Sequence, residues 1–80
     1  MNRSDAKEPL RWQCRRGMLE LDFVLGRYLD ERFVAADENE RTMFRHLLTA
    51  QDPELQMWIL NGVAHPDPVY QGLIDKIRGI

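Results

Sequence analysis

The stretch Arg15-Arg16-Gly17-Met18-Leu19-Glu20-Leu21-Asp22-Phe23-Val24-Leu25-Gly26-Arg27-Tyr28-Leu29-Asp30-Glu31-Arg32-Phe33-Val34 decides the fold class. Met18, Leu21, Leu25, Tyr28 and Leu29 recur at the three- and four-residue spacing of one buried helix face, not at the two-residue spacing of a strand. The spacing predicts a long helix over residues 15–34. Gly26 weakens its middle by about 1 kcal/mol relative to Ala. Glycine in a helix interior often marks a close neighbour, so a second helix is expected to cross near it.

Three helix starts follow downstream. Asp37-Glu38-Asn39-Glu40 places acidic groups where the positive end of a helix dipole favours them. That helix carries Met43, Phe44, Leu47 and Leu48 inward and should end near Ala50. Asp52-Pro53-Glu54 reads as the next start, with Asp52 as N-cap and Pro53 at the first helical position. Leu55, Trp58 and Ile59 share its inner face, and Asn61-Gly62 stops it. Asp67-Pro68 repeats the signal ahead of Val69, Tyr70, Leu73, Ile74 and Ile77, and Gly79 ends the pattern. Upstream, residues 4–13 suggest a short helix interrupted by Pro9, with residues 1–9 a partly ordered N-terminal segment. The expected architecture is all-α: a compact bundle of about five short helices, one helical domain over residues 10–80.

Composition narrows the function. The chain has 80 residues and a single cysteine, so no internal disulfide is available and the fold rests on its hydrophobic core. Its formal net charge of -2 gives no general electrostatic hold on nucleic acid. No apolar run is long enough to span a membrane. The first residues lack an apolar segment and include acidic groups, unlike a secretory or mitochondrial presequence. A bacterial cytoplasmic location is the resulting expectation.

Catalytic and cofactor signatures are sparse. Cys14, His46 and His65 have no spacing typical of a cysteine hydrolase, so Cys14 is expected to be a packed thiol and the histidines to lie on helix surfaces or ends. There is no Cys-x-x-Cys, His-x-x-x-His or Glu-x-x-His pattern for a metal. Asp30-Glu31 and Asp37-Glu38 read as solvated helix faces, not as a calcium loop. The five glycines are isolated from one another and follow no strand, so no phosphate cradle and no FAD or NAD site is expected. These readings favour a binding module with no catalytic residues over an enzyme.

The segment from Arg15 to Asp22 is the most unusual local feature. On a helix Arg16 and Glu20 are i and i+4 neighbours, on the same broad side as Phe23 and Arg27 and away from the core stripe. Gly17 presents no side chain, so another protein's backbone can come close. Arg16 is suited to a carboxylate or carbonyl, and Glu20 to a cationic or N–H donor. The plainer reading is an exposed Arg16–Glu20 ion pair with Gly17 as a hinge. Trp58 is expected in the core; Trp12 either wedges the N-terminal segment onto the bundle or joins an interface.

Residues 11–22, Arg-Trp-Gln-Cys-Arg-Arg-Gly-Met-Leu-Glu-Leu-Asp, resemble the signature of the succinate dehydrogenase assembly factor family. The family's RGxxE motif falls on Arg16, Gly17 and Glu20. Leu47-Leu48, Asp52-Pro53-Glu54-Leu55 and Trp58 resemble its second half. The resemblance implies a five-helix chaperone that promotes covalent attachment of FAD to the flavoprotein subunit of succinate dehydrogenase and, in some bacteria, of fumarate reductase. The chemistry would belong to that subunit; the chaperone would hold no FAD stably by itself. Arg16, Gly17 and Glu20 would centre the contact surface, with Arg15, Met18, Asp22 and Phe23 as flanks. A monomer that neither enters a membrane nor binds nucleic acid is expected. The alternative is an antitoxin-type or other regulatory protein-binding module.

Overall fold

The computed structural model describes residues 10–79, so the expectations for residues 1–9 fall outside the described residues. Helical backbone at 10–13 forms the described part of α1. It is followed by α2 (Leu19–Glu31), α3 (Glu38–Leu47), α4 (Asp52–Leu55) and α5 (Pro68–Arg78). A π-helical segment, Gln56–Leu60, continues α4 without a break. Among the described residues the fold is all-α with five helices, in line with the compact helical bundle that the periodicity predicts.

The core follows from the apolar stripes. Leu21, Leu25, Tyr28 and Leu29 of α2 are buried, and α2 packs on α5 and on the π-helical segment. Phe44 and Leu47 of α3, Leu55 and Ile59 of the α4 region, and Leu73, Ile74 and Ile77 of α5 complete the cluster with Leu10, Cys14, Phe33 and Leu48. The Tyr28 and Phe44 rings lie 4.6 Å apart in a tilted arrangement, joining α2 to α3. Trp58 packs on this core half-buried, its ring 4.4 Å from that of His65. His65 in turn stacks on Tyr70, whose hydroxyl meets His46 Nδ1 at 2.9 Å.

Caps fix where the helices begin and end. Asp37 accepts from the Glu40 N–H at 2.8 Å, and Asp67 accepts from the Val69 N–H at 2.9 Å, each satisfying a donor at a helix start. Gly79 closes α5 in the left-handed region at φ 84°. Gly62 does the same after the π-helical segment at φ 75°.

Several boundaries differ from the sequence expectation. The long helix begins at Leu19 rather than Arg15, because Gly17 takes φ 78° and the Asp22 carboxylate binds the amides ahead of it. It ends at Glu31 rather than Val34. Arg41 reaches back from α3 to the carbonyls of Phe33 and Val34, giving acceptors beyond the helix end a donor. The N-cap of α4 is Gln51, one residue before the expected Asp52, which leaves the Asp52 side chain open to another partner. The π-helical segment was not anticipated. Val69, expected in the core stripe of α5, is exposed: it lies in the first turn, at the edge of the face that Leu73, Ile74 and Ile77 bury further along the helix. No helix crosses at Gly26: among the described residues, apart from its chain neighbours and the backbone of its own helix, nothing lies within 4 Å of where its Cβ would stand.

A polar network binds the periphery of α2, α3 and α5. The Tyr28 hydroxyl donates to Glu40 Oε2 at 2.6 Å, and Lys76 Nζ donates to Glu40 Oε1 at 2.6 Å. Burial alone would raise the Glu40 pKa, but the hydrogen bonds from Lys76 and Tyr28 outweigh it and hold the carboxyl below its ordinary 4.5. A carboxylate depressed in the folded state contributes stability that is full above its unfolded value and is lost as pH falls through its folded value. Tyr28→Phe is therefore expected to cost about 1.5 kcal/mol in urea unfolding at neutral pH. The gap from the wild type should narrow as the pH is lowered below about 4.5; a pH-independent gap would show that Glu40 does not carry the effect. Gly26→Ala is expected to raise stability by about 1 kcal/mol, because helix propensity improves where nothing is crowded. A lower melting temperature would reveal a contact at that position.

Candidate functional site

The loop between α1 and α2 is locked from two directions. The Asp22 side chain folds back from α2, accepting from the Arg16 N–H at 2.7 Å and the Gly17 N–H at 3.2 Å. Two successive amides thus converge on one carboxylate, and the positive φ of Gly17 lets the chain turn from there into α2. Met18 is the N-cap residue of α2 in extended backbone, and its carbonyl accepts from the Asp22 N–H at 2.8 Å. Asp22 therefore serves the loop with its side chain and the helix with its backbone.

Arg16 supplies the second lock. Its side chain is only 16% exposed. Nη2 donates to the Leu48 carbonyl just after α3, and Nη1 reaches Asp52 Oδ1 at 3.3 Å at the start of α4. One planar guanidinium so ties the α1–α2 loop to the α3–α4 junction. Its Nε is buried without a partner among the described residues. This differs from the helical i, i+4 arrangement expected from spacing. Arg16 precedes the helix, and its ion-pair partner is Asp52, not Glu20.

The other motif residues are distributed accordingly. Arg15, Gly17, Glu20 and Phe23 are exposed; Met18 and Asp22 are half-buried, with Met18 packed against the core. The guanidinium of Arg15 lies 5.4 Å from the Trp12 ring centroid, and that of Arg27 lies 5.8 Å from the Phe23 ring. Trp12 is 70% exposed, which excludes the wedge role and leaves an aromatic surface beside the loop. Cys14 is buried beneath the loop, and burial pushes its thiol up to about 11, so it lacks the thiolate character of a nucleophile.

Leu19 was missed by the sequence reading. It is 87% exposed, more than any other large apolar residue described here. It begins α2 on the face opposite Leu21 and Leu25, a placement that helical geometry alone could have flagged. The Leu48 and Asp52 anchors of Arg16 lie 32 and 36 residues away in the chain and carry no local signal.

The arrangement presents a fixed surface. Among the described residues, no group of three or more His, Cys, Asp and Glu side chains could hold a metal ion. No described helix is long and apolar enough to cross a membrane. What the site provides is an ordered backbone turn at Gly17, bordered by Arg15, Leu19, Glu20 and Phe23.

Comparison with known proteins gives this surface a family context. Residues 8–80 match the family described as flavinator of succinate dehydrogenase. A FAD assembly factor SdhE from Coxiella burnetii is 41% identical over 78 residues, covering 98% of this chain and 95% of that protein. The protein of the same name from Shewanella oneidensis is 36% identical over 70 residues, covering 88% and 85%. That from Photobacterium profundum is 36% identical over 74 residues, covering 92% and 84%. No solved structure matches the chain. With the family matched over nearly its whole length, the chain belongs to the flavinators of succinate dehydrogenase.

Proposed function

We propose that this protein is a chaperone that promotes covalent attachment of FAD to the flavoprotein subunit of succinate dehydrogenase. The observation that carries the reading is the family match over residues 8–80. The exposed turn at Gly17 and Glu20 supplies a surface suited to it. The protein binds one arrangement of the flavoprotein subunit in preference to others and so raises the population in which the flavin bond forms. The subunit's own residues perform the chemistry; this chain holds no FAD stably and acts as a cytoplasmic monomer. The flavoprotein subunit of fumarate reductase is a client of the same surface where that enzyme is present.

Within this reading the motif residues divide their work. Gly17 allows close backbone approach, Glu20 receives a cationic or N–H donor, and Arg15, Met18 and Phe23 flank them. Arg16 and Asp22 hold the turn in shape. An interface residue already fixed by its own structure loses less conformational entropy on binding, so this rigidity favours affinity.

The primary test combines purified flavoprotein subunit, FAD and a dicarboxylate with and without the protein. Covalent flavin is then read as fluorescence that persists on the denatured subunit. Yield should rise with the protein, and an unchanged yield would overturn the function. Glu20→Lys should abolish the rise while shifting stability by no more than about 0.5 kcal/mol, since Glu20 is exposed. Arg16→Lys should reduce both flavin yield and melting temperature, because a single ammonium lacks the planar fork that reaches Leu48 and Asp52 together. An unchanged melting temperature in Arg16→Lys would remove its locking role. Gly17→Asn, which tolerates a positive φ better than other side chains, separates backbone strain from blocked approach. It should fold and yet dock poorly.

A further inference from the structure

The dipeptide Asp-Pro occurs twice in the chain and is used in two ways. At α5 it starts a helix in the ordinary manner. Asp67 is the N-cap, and its carboxylate folds back to accept from the Val69 N–H. At α4 the same pair sits one position further on. Gln51 is the N-cap, no side chain caps the helix, and the Glu54 and Leu55 amides donate to the Gln51 carbonyl. The Asp52 carboxylate is thus left over by its own helix. It turns across the α3–α4 junction to Arg16 Nη1 at 3.3 Å.

Arg16 depends on that carboxylate. Its side chain is only 16% exposed, and its Nε is buried without a partner among the described residues. Asp22 accepts from the backbone amide of Arg16, not from its guanidinium. The two Nη groups therefore hold the side chain. Leu48 offers one of them a neutral carbonyl, and Asp52 offers the other a counter-charge. A guanidinium withdrawn from water without a counter-charge is costly. Without Asp52 the inward place of Arg16 is disfavoured, and the side chain turns toward water. The backbone that carries it is the one whose amide converges with that of Gly17 on Asp22. A displaced guanidinium thus disturbs the turn directly.

We infer that Asp52 is a positioning residue for docking: it neutralises Arg16 in its inward place and so keeps the Gly17 turn in the shape that the flavoprotein subunit meets. The inference rests on the function proposed above. It makes the α3–α4 junction part of the site, although Asp52 lies 36 residues beyond Arg16 in the chain.

Two other uses of Asp52 would give different results. As an acidic residue in the first turn of α4 it interacts favourably with the helix dipole, and exposed Glu54 shares that turn. Its side chain is also 41% exposed, open enough to meet a partner directly.

The test compares full-length variants by amide hydrogen exchange and by calorimetric binding to the purified flavoprotein subunit. Asp52→Asn should speed exchange at the Arg16 and Gly17 amides and weaken binding, each by about fivefold, the effect of losing one partly exposed ion pair. Exchange in the middle of α2 should stay as in the wild type. Glu54→Gln should change neither readout. In an Arg16→Met background no charge needs a partner, so Asp52→Asn should add nothing to exchange at Gly17 or to any loss of binding. Unchanged exchange at the turn in Asp52→Asn would overturn the inference and leave the proposed function standing. A looser turn with wild-type affinity would do the same. An equal loss from Glu54→Gln would assign the effect to the helix dipole. A further loss in the Arg16→Met background would assign it to another contact of Asp52. Either of these results also overturns the inference. No binding by the wild-type protein would overturn both the inference and the proposed function.

Discussion

Burial of one face of α2 is the constraint on which the structure depends. Leu21, Leu25 and Leu29 have no measurable exposure, and Tyr28 has almost none. In an 80-residue chain without an internal disulfide, such burial is the main source of stability available. The stripe fixes the rotation of α2 against α5 and the π-helical segment. Fixing that rotation also fixes what faces away from the core. Leu19, Glu20, Phe23 and Asp30 are exposed because Leu21, Leu25 and Tyr28 are not.

The turn ahead of α2 shows how a small fold makes a rigid surface without an enclosed site. A loop with no side chain at Gly17 would ordinarily be among the more mobile parts of a chain. Here Asp22 holds it from the helix and Arg16 holds it from the α3–α4 junction. Both locks are charged hydrogen-bonding groups, stronger than neutral pairs and specific in direction. The motif thus has two layers. Arg16 and Asp22 face back into the protein, whereas Gly17 and Glu20 face solvent.

Charge elsewhere does similar positional work at the margins of the core. Glu40 gathers Tyr28 and Lys76 from two other helices. Arg27 reaches the carbonyl of Ile77 near the end of α5, and Arg41 reaches carbonyls beyond the end of α2. These contacts supply donors to acceptors that helix ends leave unpaired. They set the angles between elements whose attraction comes from apolar contact, which is less directional.

The sequence by itself determined the helical class, the core stripes of α2 and α3, most of that of α5, and the start of α5 at Asp67-Pro68. Those features are local: they need only periodicity, caps and a residue type with fixed backbone preference. It also marked Arg16, Gly17 and Glu20 as a unit. Only the tertiary structure decided that Arg16 precedes the helix and turns inward, because its partners at Leu48 and Asp52 lie far along the chain. Spacing placed Arg16 and Glu20 on one helix face on the assumption of helical backbone, which Gly17 at φ 78° and the Asp22 carboxylate prevent. The open space at Gly26 was equally out of reach. A glycine in a helix reads the same in sequence whether a neighbour crosses it or solvent covers it, and packing alone separates the two.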